Sequence, residues 1–140
     1  MNAEAFLDTN VLLYAASKAP ADAAKSAIAL RLMRETNFGV SLQLVQEFYH
    51  NARIKARLAI DARLGLQMIE GLLARPLVLT DVELFGAARG LAERFQLRYW
   101  DAALLAAAQR LGASRFYSED LNHGQNFEGV RVINPFKGLD

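Results

Sequence analysis

The sequence predicts a three-layer α/β/α fold, a central parallel sheet of about five strands with helices on both faces. Two observations carry this expectation. Short apolar strand candidates recur along the chain, and amphipathic helical patterns fill the intervals between them. Strands that alternate with helices align in parallel, joined by right-handed crossovers. No proline- or glycine-rich linker, repeat or low-complexity block interrupts the pattern, so a single domain spanning residues 1–140 is expected.

Taken in order, the first strand candidate is Ala5–Leu7, followed by a helix over Asn10–Ala16 that Asp8 is placed to cap. Ala24, Ile28 and Leu32 form an i, i+4 stripe of a second helix. Gly39–Leu42 reads as the next strand, and SLQLVQEFYH as the helix behind it. Ile60, Leu64, Met68 and Leu72 repeat the stripe before a strand at Leu77–Leu79. Thr80-Asp81-Val82-Glu83 reads as a capping box for the helix carrying Leu84, Ala88, Leu91 and Phe95. An alanine-rich helix opens at Asp101, and Arg115–Tyr117 and Val130–Ile133 complete the strands. Asn122, Gly124 and Asn126 mark a turn between them.

Composition narrows the chemistry. The 140 residues include no cysteine, which excludes disulfides, zinc–thiolate sites and cysteine nucleophiles. The hydrophobic share of 53% supports a packed core rather than disorder. Apolar runs such as residues 102–108 fall far short of the ~18 residues that a membrane span needs. No signal-peptide pattern opens the chain, so a soluble cytoplasmic protein is expected. Net charge is only +1, although 12 of the 16 basic residues are arginine.

Four carboxylates stand out: Asp8, Glu47, Asp101 and Asp120. Asp8 follows a strand and opens a helix, where capping competes with a site role. Asn10 adds a second polar group to that corner. Glu47 falls at the margin of the face made by Leu44, Val45, Phe48 and Ala52, where a solvated side chain is the competing reading. Ser41 precedes its helix and is placed to hydrogen-bond into the same region. Asp101 shares an apolar arc with Trp100, Leu104, Leu105, Ala108 and Leu111. A carboxylate aimed at a core costs several kcal/mol unless paired, capped or bound to metal. Asp120 sits among turn formers, and its neighbour Glu119 leaves open which carboxylate points inward. A parallel sheet collects ligand-binding groups beyond the carboxyl ends of its strands. Acids gathered there repel one another, a divalent cation relieves the repulsion, and oxygen-only donors suit Mg²⁺ or Mn²⁺.

Four segments, FLDTNVLLYA, SLQLVQEF, YWDAALLAAAQRLG and YSEDLNHG…VRVINPF, resemble those of PIN-domain ribonucleases, specifically the VapC-type toxins of bacterial toxin–antitoxin pairs. The resemblance runs from Phe6 to Phe136 in matching order and spacing. It implies a PIN-like sheet order and puts Asp8, Glu47, Asp101 and Asp120 at the family's acidic positions. It puts Asn10, Ser41 and Ser118 at the supporting polar ones, with Ser118 where many relatives carry threonine. It further implies Mg²⁺ or Mn²⁺ dependence, endonucleolytic cleavage of RNA, a cognate antitoxin and a homodimer. On this reading neither His50 nor His123 is needed as a base.

For substrate, Arg53, Lys55, Arg57 and Arg63 follow the Glu47 helix against only Asp61, a candidate basic rim for RNA phosphates. An ordinary solvated helix face is the alternative. Tyr49, Tyr99 and Trp100 flank the acids and are candidates for stacking on bases or for the core. Other acid-and-magnesium folds fit less well. A receiver-type domain needs a lysine after a late strand, and a haloacid-dehalogenase-like phosphatase needs an acid where Asn10 stands. A non-catalytic RNA- or protein-binding module remains the alternative from a different class.

Overall fold

The computed structural model describes residues 2–139, so the two terminal residues of the expected 1–140 domain, Met1 and Asp140, lie outside it. Six strands form one sheet: β1 Ala5–Leu7, β2 Phe38–Ser41, β3 Leu77–Val78, β4 Arg115–Tyr117, β5 Asn126–Phe127 and β6 Val130–Ile133. Their order is β3-β2-β1-β4-β6-β5, with every pair parallel except β5–β6. Six α-helices connect them: α1 Thr9–Ala16, α2 Ala23–Glu35, α3 Leu42–Ile54, α4 Ala62–Leu73, α5 Val82–Phe95 and α6 Tyr99–Arg110. The α/β/α expectation holds, and the sheet gains one strand.

That extra strand is an antiparallel hairpin partner. Phe127 opposes Val130 across a two-residue turn, Glu128-Gly129, whose φ angles are +52° and +103°. Two consecutive positive φ values give the turn the twist that tight hairpins require. Asn126 accepts the Gly129 backbone N–H at 2.7 Å and closes it. Phe127 then packs edge-on against Phe95 of α5, with centroids 5.0 Å apart.

The core lies on both sides of β1 and β4. Phe6 and Phe116 are neighbours across that parallel pair, with their rings stacked at 5.4 Å and both side chains buried. Residues 102–108 of α6 are buried without exception, because alanines let the helix sit close to the sheet while α5 packs on it. Gly39 serves the same close approach in β2. A Cβ there would meet the Leu111 side chain at 2.6 Å and the Pro76 carbonyl at 3.0 Å.

Of the boundaries that shift, three have a clear physical reason. β2 ends at Ser41 rather than Leu42, because the Ser41 hydroxyl accepts the Leu44 N–H and starts α3. Asp81, not Thr80, caps α5, accepting from the Leu84 N–H at 2.8 Å, and Arg110 grips the same carboxylate through two nitrogens. α6 starts at Tyr99, so Asp101 is its third residue and not its first.

Candidate active site

The strand order reverses direction at β1, with β2 on one side and β4 on the other. At such a switch point the loops leave in opposite directions and open a crevice beyond the strand ends. Asp8 leaves β1 at that edge. Its Oδ1 accepts the Thr9 backbone N–H at 2.7 Å, and its Oδ2 accepts the Ser118 hydroxyl at 2.8 Å. Ser118 follows β4, the parallel neighbour of β1. Its oxygen in turn accepts the backbone N–H of Asp120 at 3.1 Å, so one buried serine ties two acidic positions together.

Asp8 is only 8% exposed. Burial pushes its pKa up to about 7, with the Ser118 and Thr9 hydrogen bonds pulling it down and the charges of Asp120 and Asp101 adding to the rise. The capping and site readings of Asp8 are therefore compatible. One oxygen caps α1, while the group as a whole sits among acids.

Glu47 lies at the expected margin of α3, but it is held rather than free. Thr9 donates from its hydroxyl to Oε1 at 2.8 Å, and Gln43, one turn earlier, donates to Oε2 at 2.9 Å. The same Gln43 nitrogen reaches the Trp100 carbonyl at 3.1 Å and links α3 to the start of α6.

Asp101 is half-buried and does not point into the core. The first turn of α6 projects past the sheet, so Trp100 is 57% exposed and the buried stretch begins only at Ala102. Burial still raises the Asp101 pKa. Arg98 opposes that rise, and the charges of Asp120 and Glu47 add to it. Asp120 receives a hydrogen bond from the Asn10 amide at 2.9 Å. Glu119 turns the other way, accepting from Tyr14 at 2.9 Å and from Lys25 at 2.8 Å. Asp120 is thus the carboxylate that faces inward.

All four acids line one open cavity of about 540 Å³, together with Thr9, Asn10, Gln43, His50, Arg98 and Trp100. Among the described residues, no three acidic or histidine side chains converge tightly enough to enclose a cation as they stand. The donor set is nonetheless all oxygen, and burial, with the charges of neighbouring acids, pushes two of its carboxylates toward the neutral form.

Several expected contributors lie elsewhere. Ser41 is buried as the α3 cap and does not line the cavity. Arg53, Lys55, Arg57 and Arg63 are also outside it. Arg53 donates to the Tyr49 hydroxyl at 2.6 Å, and Arg57 pairs at 3.1 Å with buried Asp22. Lys55 ends α3, and Arg63 is exposed on α4. α3 ends at Ile54, so Lys55, Arg57 and Arg63 belong to the segments that follow it. The basic side chain that does line the cavity is Arg98, which the sequence pattern did not single out. Its signal was helical spacing, since Arg98 precedes Asp101 by three residues and Gln43 precedes Glu47 by four.

The PIN domain family model matches residues 5–126, and the chain belongs to that family. Solved structures share the fold at low identity. A toxin–antitoxin complex from Klebsiella pneumoniae aligns with a TM-score of 0.66 and 17% identity, over 94% of this chain and 97% of that one. VapC20 of Mycobacterium tuberculosis, a sarcin–ricin loop cleaving toxin, gives 0.64 and 20%, over 91% and 98%. FitAcB of Neisseria gonorrhoeae gives 0.64 and 18%, over 95% and 99%. No curated protein sequence matches the chain significantly. No helix among the described residues is long and apolar enough to cross a membrane.

Proposed function

We propose that the chain is a Mg²⁺- or Mn²⁺-dependent endoribonuclease and the toxin of a toxin–antitoxin pair. The observation that carries this reading is the gathering of Asp8, Glu47, Asp101 and Asp120 around one open cavity at the switch point of the sheet. Mg²⁺ commonly takes one or two carboxylates and completes its shell with water and substrate phosphate, so a loose acidic set suits it. Asp8 and Asp101 would hold the cation, with Glu47 and Asp120 completing the set directly or through water. When bound, the cation supplies an activated water nucleophile and offsets charge on the phosphate.

The chain's own residues do the positioning. Ser118 and the Thr9 N–H fix both oxygens of Asp8. The Thr9 hydroxyl and Gln43 fix those of Glu47. Asn10 steers Asp120. Asp8, Glu47 and Asp120 are thus set before substrate arrives, which is where a hydrolase of this kind gains most.

The solved neighbours include toxin–antitoxin complexes, which supports a cognate antitoxin as partner. A homodimer acting on RNA in the cytoplasm completes the reading. The alternative is a non-catalytic RNA- or protein-binding module on the same fold. One experiment separates them. The nuclease reading expects RNA cleavage with added Mg²⁺ or Mn²⁺ that stops on chelation. Full activity after chelation and dialysis, or no cleavage with either ion, would remove it.

A further inference from the structure

Trp100 is the chain's single tryptophan, and it is more than half exposed on the wall of the acidic cavity. An exposed indole gains nothing for the fold. It is nevertheless held in place. Tyr99 packs edge-on against it with centroids 5.0 Å apart, Phe85 backs Tyr99 at 5.7 Å, and Gln43 fastens the Trp100 carbonyl. An aromatic face kept rigid and open is a stacking surface, and every nucleobase offers it a π-face.

Arg98, two residues away, lines the same cavity. It is exposed, it caps α6 through its backbone only, and its guanidinium makes no hydrogen bond or ion pair with any described residue. Through space it opposes the rise that burial gives the Asp101 pKa. An unengaged arginine fork beside an acidic cavity suits a phosphate that must approach against negative charge.

Resting on the nuclease reading, we propose that Trp100 and Arg98 form a nucleotide clamp at the rim of the site. An unpaired base flanking the scissile phosphate stacks on the Trp100 indole, and Arg98 takes an adjacent phosphate. Paired bases present only their edges, so the clamp selects single-stranded segments. Protein surfaces also cover exposed tryptophans, but the unengaged Arg98 cation two residues away favours an anionic occupant at this rim, and a divalent cation held by the four carboxylates would offset their repulsion of it.

The tryptophan supplies its own readout. The Asp8→Asn chain, which keeps this rim, is titrated with a short single-stranded RNA and with the same sequence as a duplex, following indole emission. Saturable quenching by the single strand and weaker quenching by the duplex are expected. In anisotropy with labelled RNA, Trp100→Ala should weaken binding about 5- to 150-fold and Trp100→Phe much less. Arg98→Gln should lower the slope of log affinity against log salt by about 0.7, one phosphate's share. Unchanged emission, or equal affinity of Trp100→Ala and its parent, overturns the clamp. So does emission that shifts on dilution of the protein alone, which marks a face covered by a second copy. Cleavage by the unmodified chain is measured in parallel. If it cuts RNA while Trp100 stays silent, the nuclease reading stands and the clamp falls. If it binds through Trp100 without cutting, the reverse holds.

Discussion

The Ser118 hydroxyl donates at 2.8 Å to Asp8 Oδ2 across 110 residues of sequence, joining the exits of β1 and β4. The same oxygen accepts the Asp120 N–H, so this one contact sets the spacing of two acids. Ser118→Ala leaves Asp8 without its hydroxyl donor and frees the Asp120 backbone. We expect a stability loss of about 1–2 kcal/mol in thermal or urea denaturation and about a ten-fold loss of RNA cleavage. Ser118→Thr, which keeps the hydroxyl, should recover most of both. Cleavage by Ser118→Ala at the unmodified rate would show that the bond serves the fold alone.

Removing charge at the centre is a sharper intervention. Asp8→Asn and Asp101→Asn should each lower cleavage by at least about two orders of magnitude, roughly 2.7 kcal/mol. Metal-free stability should stay level or rise, because repulsion among the acids is relieved. If both variants unfold instead, these aspartates are structural caps and the site reading fails.

The pH dependence has a definite sign. Asp8 has its pKa raised from 3.8 to about 7 by burial, so between those values the folded chain holds a proton that the unfolded chain has released. Its contribution is fully present below about pH 4 and is lost as pH rises through about 7, at roughly 1.4 kcal/mol for each pH unit in between. Other carboxylates act at low pH, so the quantity to measure is the metal-free difference between the parent chain and Asp8→Asn from pH 5 to 8. It should grow toward alkaline pH, and Mg²⁺ should shrink it. A flat difference would contradict the burial argument.

Arg57 offers a contrasting test. Its exposed guanidinium pairs with Asp22, a buried carboxylate that Ser17 also serves. Arg57→Ala should cost about 1 kcal/mol in stability and leave the salt dependence of RNA binding unchanged. A reduced salt slope would place it among the RNA-contacting residues.

The partner expectation is tested in cells. Expressing the chain alone should arrest growth, and a co-expressed cognate antitoxin should restore growth and elute with the chain on gel filtration. Normal growth at high levels of folded protein would count against the toxin reading without touching the proposal of a metal site.

The alternation of apolar strands and helical stripes made most of the fold legible, because parallel sheets bury their strands on both faces. The β5–β6 hairpin escaped because Asn126–Phe127 is too short to show a pattern and Glu128-Gly129 is not a typical turn pair. Asp8, Asp101 and Asp120 could be read because each sits near an element boundary, where a charged residue after an apolar run is conspicuous, whereas Glu47, inside α3, showed only as a margin residue of an apolar face. Arg98 and Gln43 were hidden, since their roles depend on α6 and α3 meeting in space. Arg53, Lys55, Arg57 and Arg63 follow Glu47 in sequence but do not line the cavity, and a role for them in holding RNA remains a proposal.

The outermost strands, β3 and β5, are two residues each. An edge that short offers another chain almost no unpaired backbone to extend, which is one of the ways natural sheets resist aggregation. The proposed homodimer is therefore expected to form through side chains, those on the helices above all, rather than by lengthening the sheet. Substitutions that weaken a dimer belong on helical apolar residues left uncovered, such as Leu66, Leu73 and Phe85. A proline in either outer strand should leave the dimer intact.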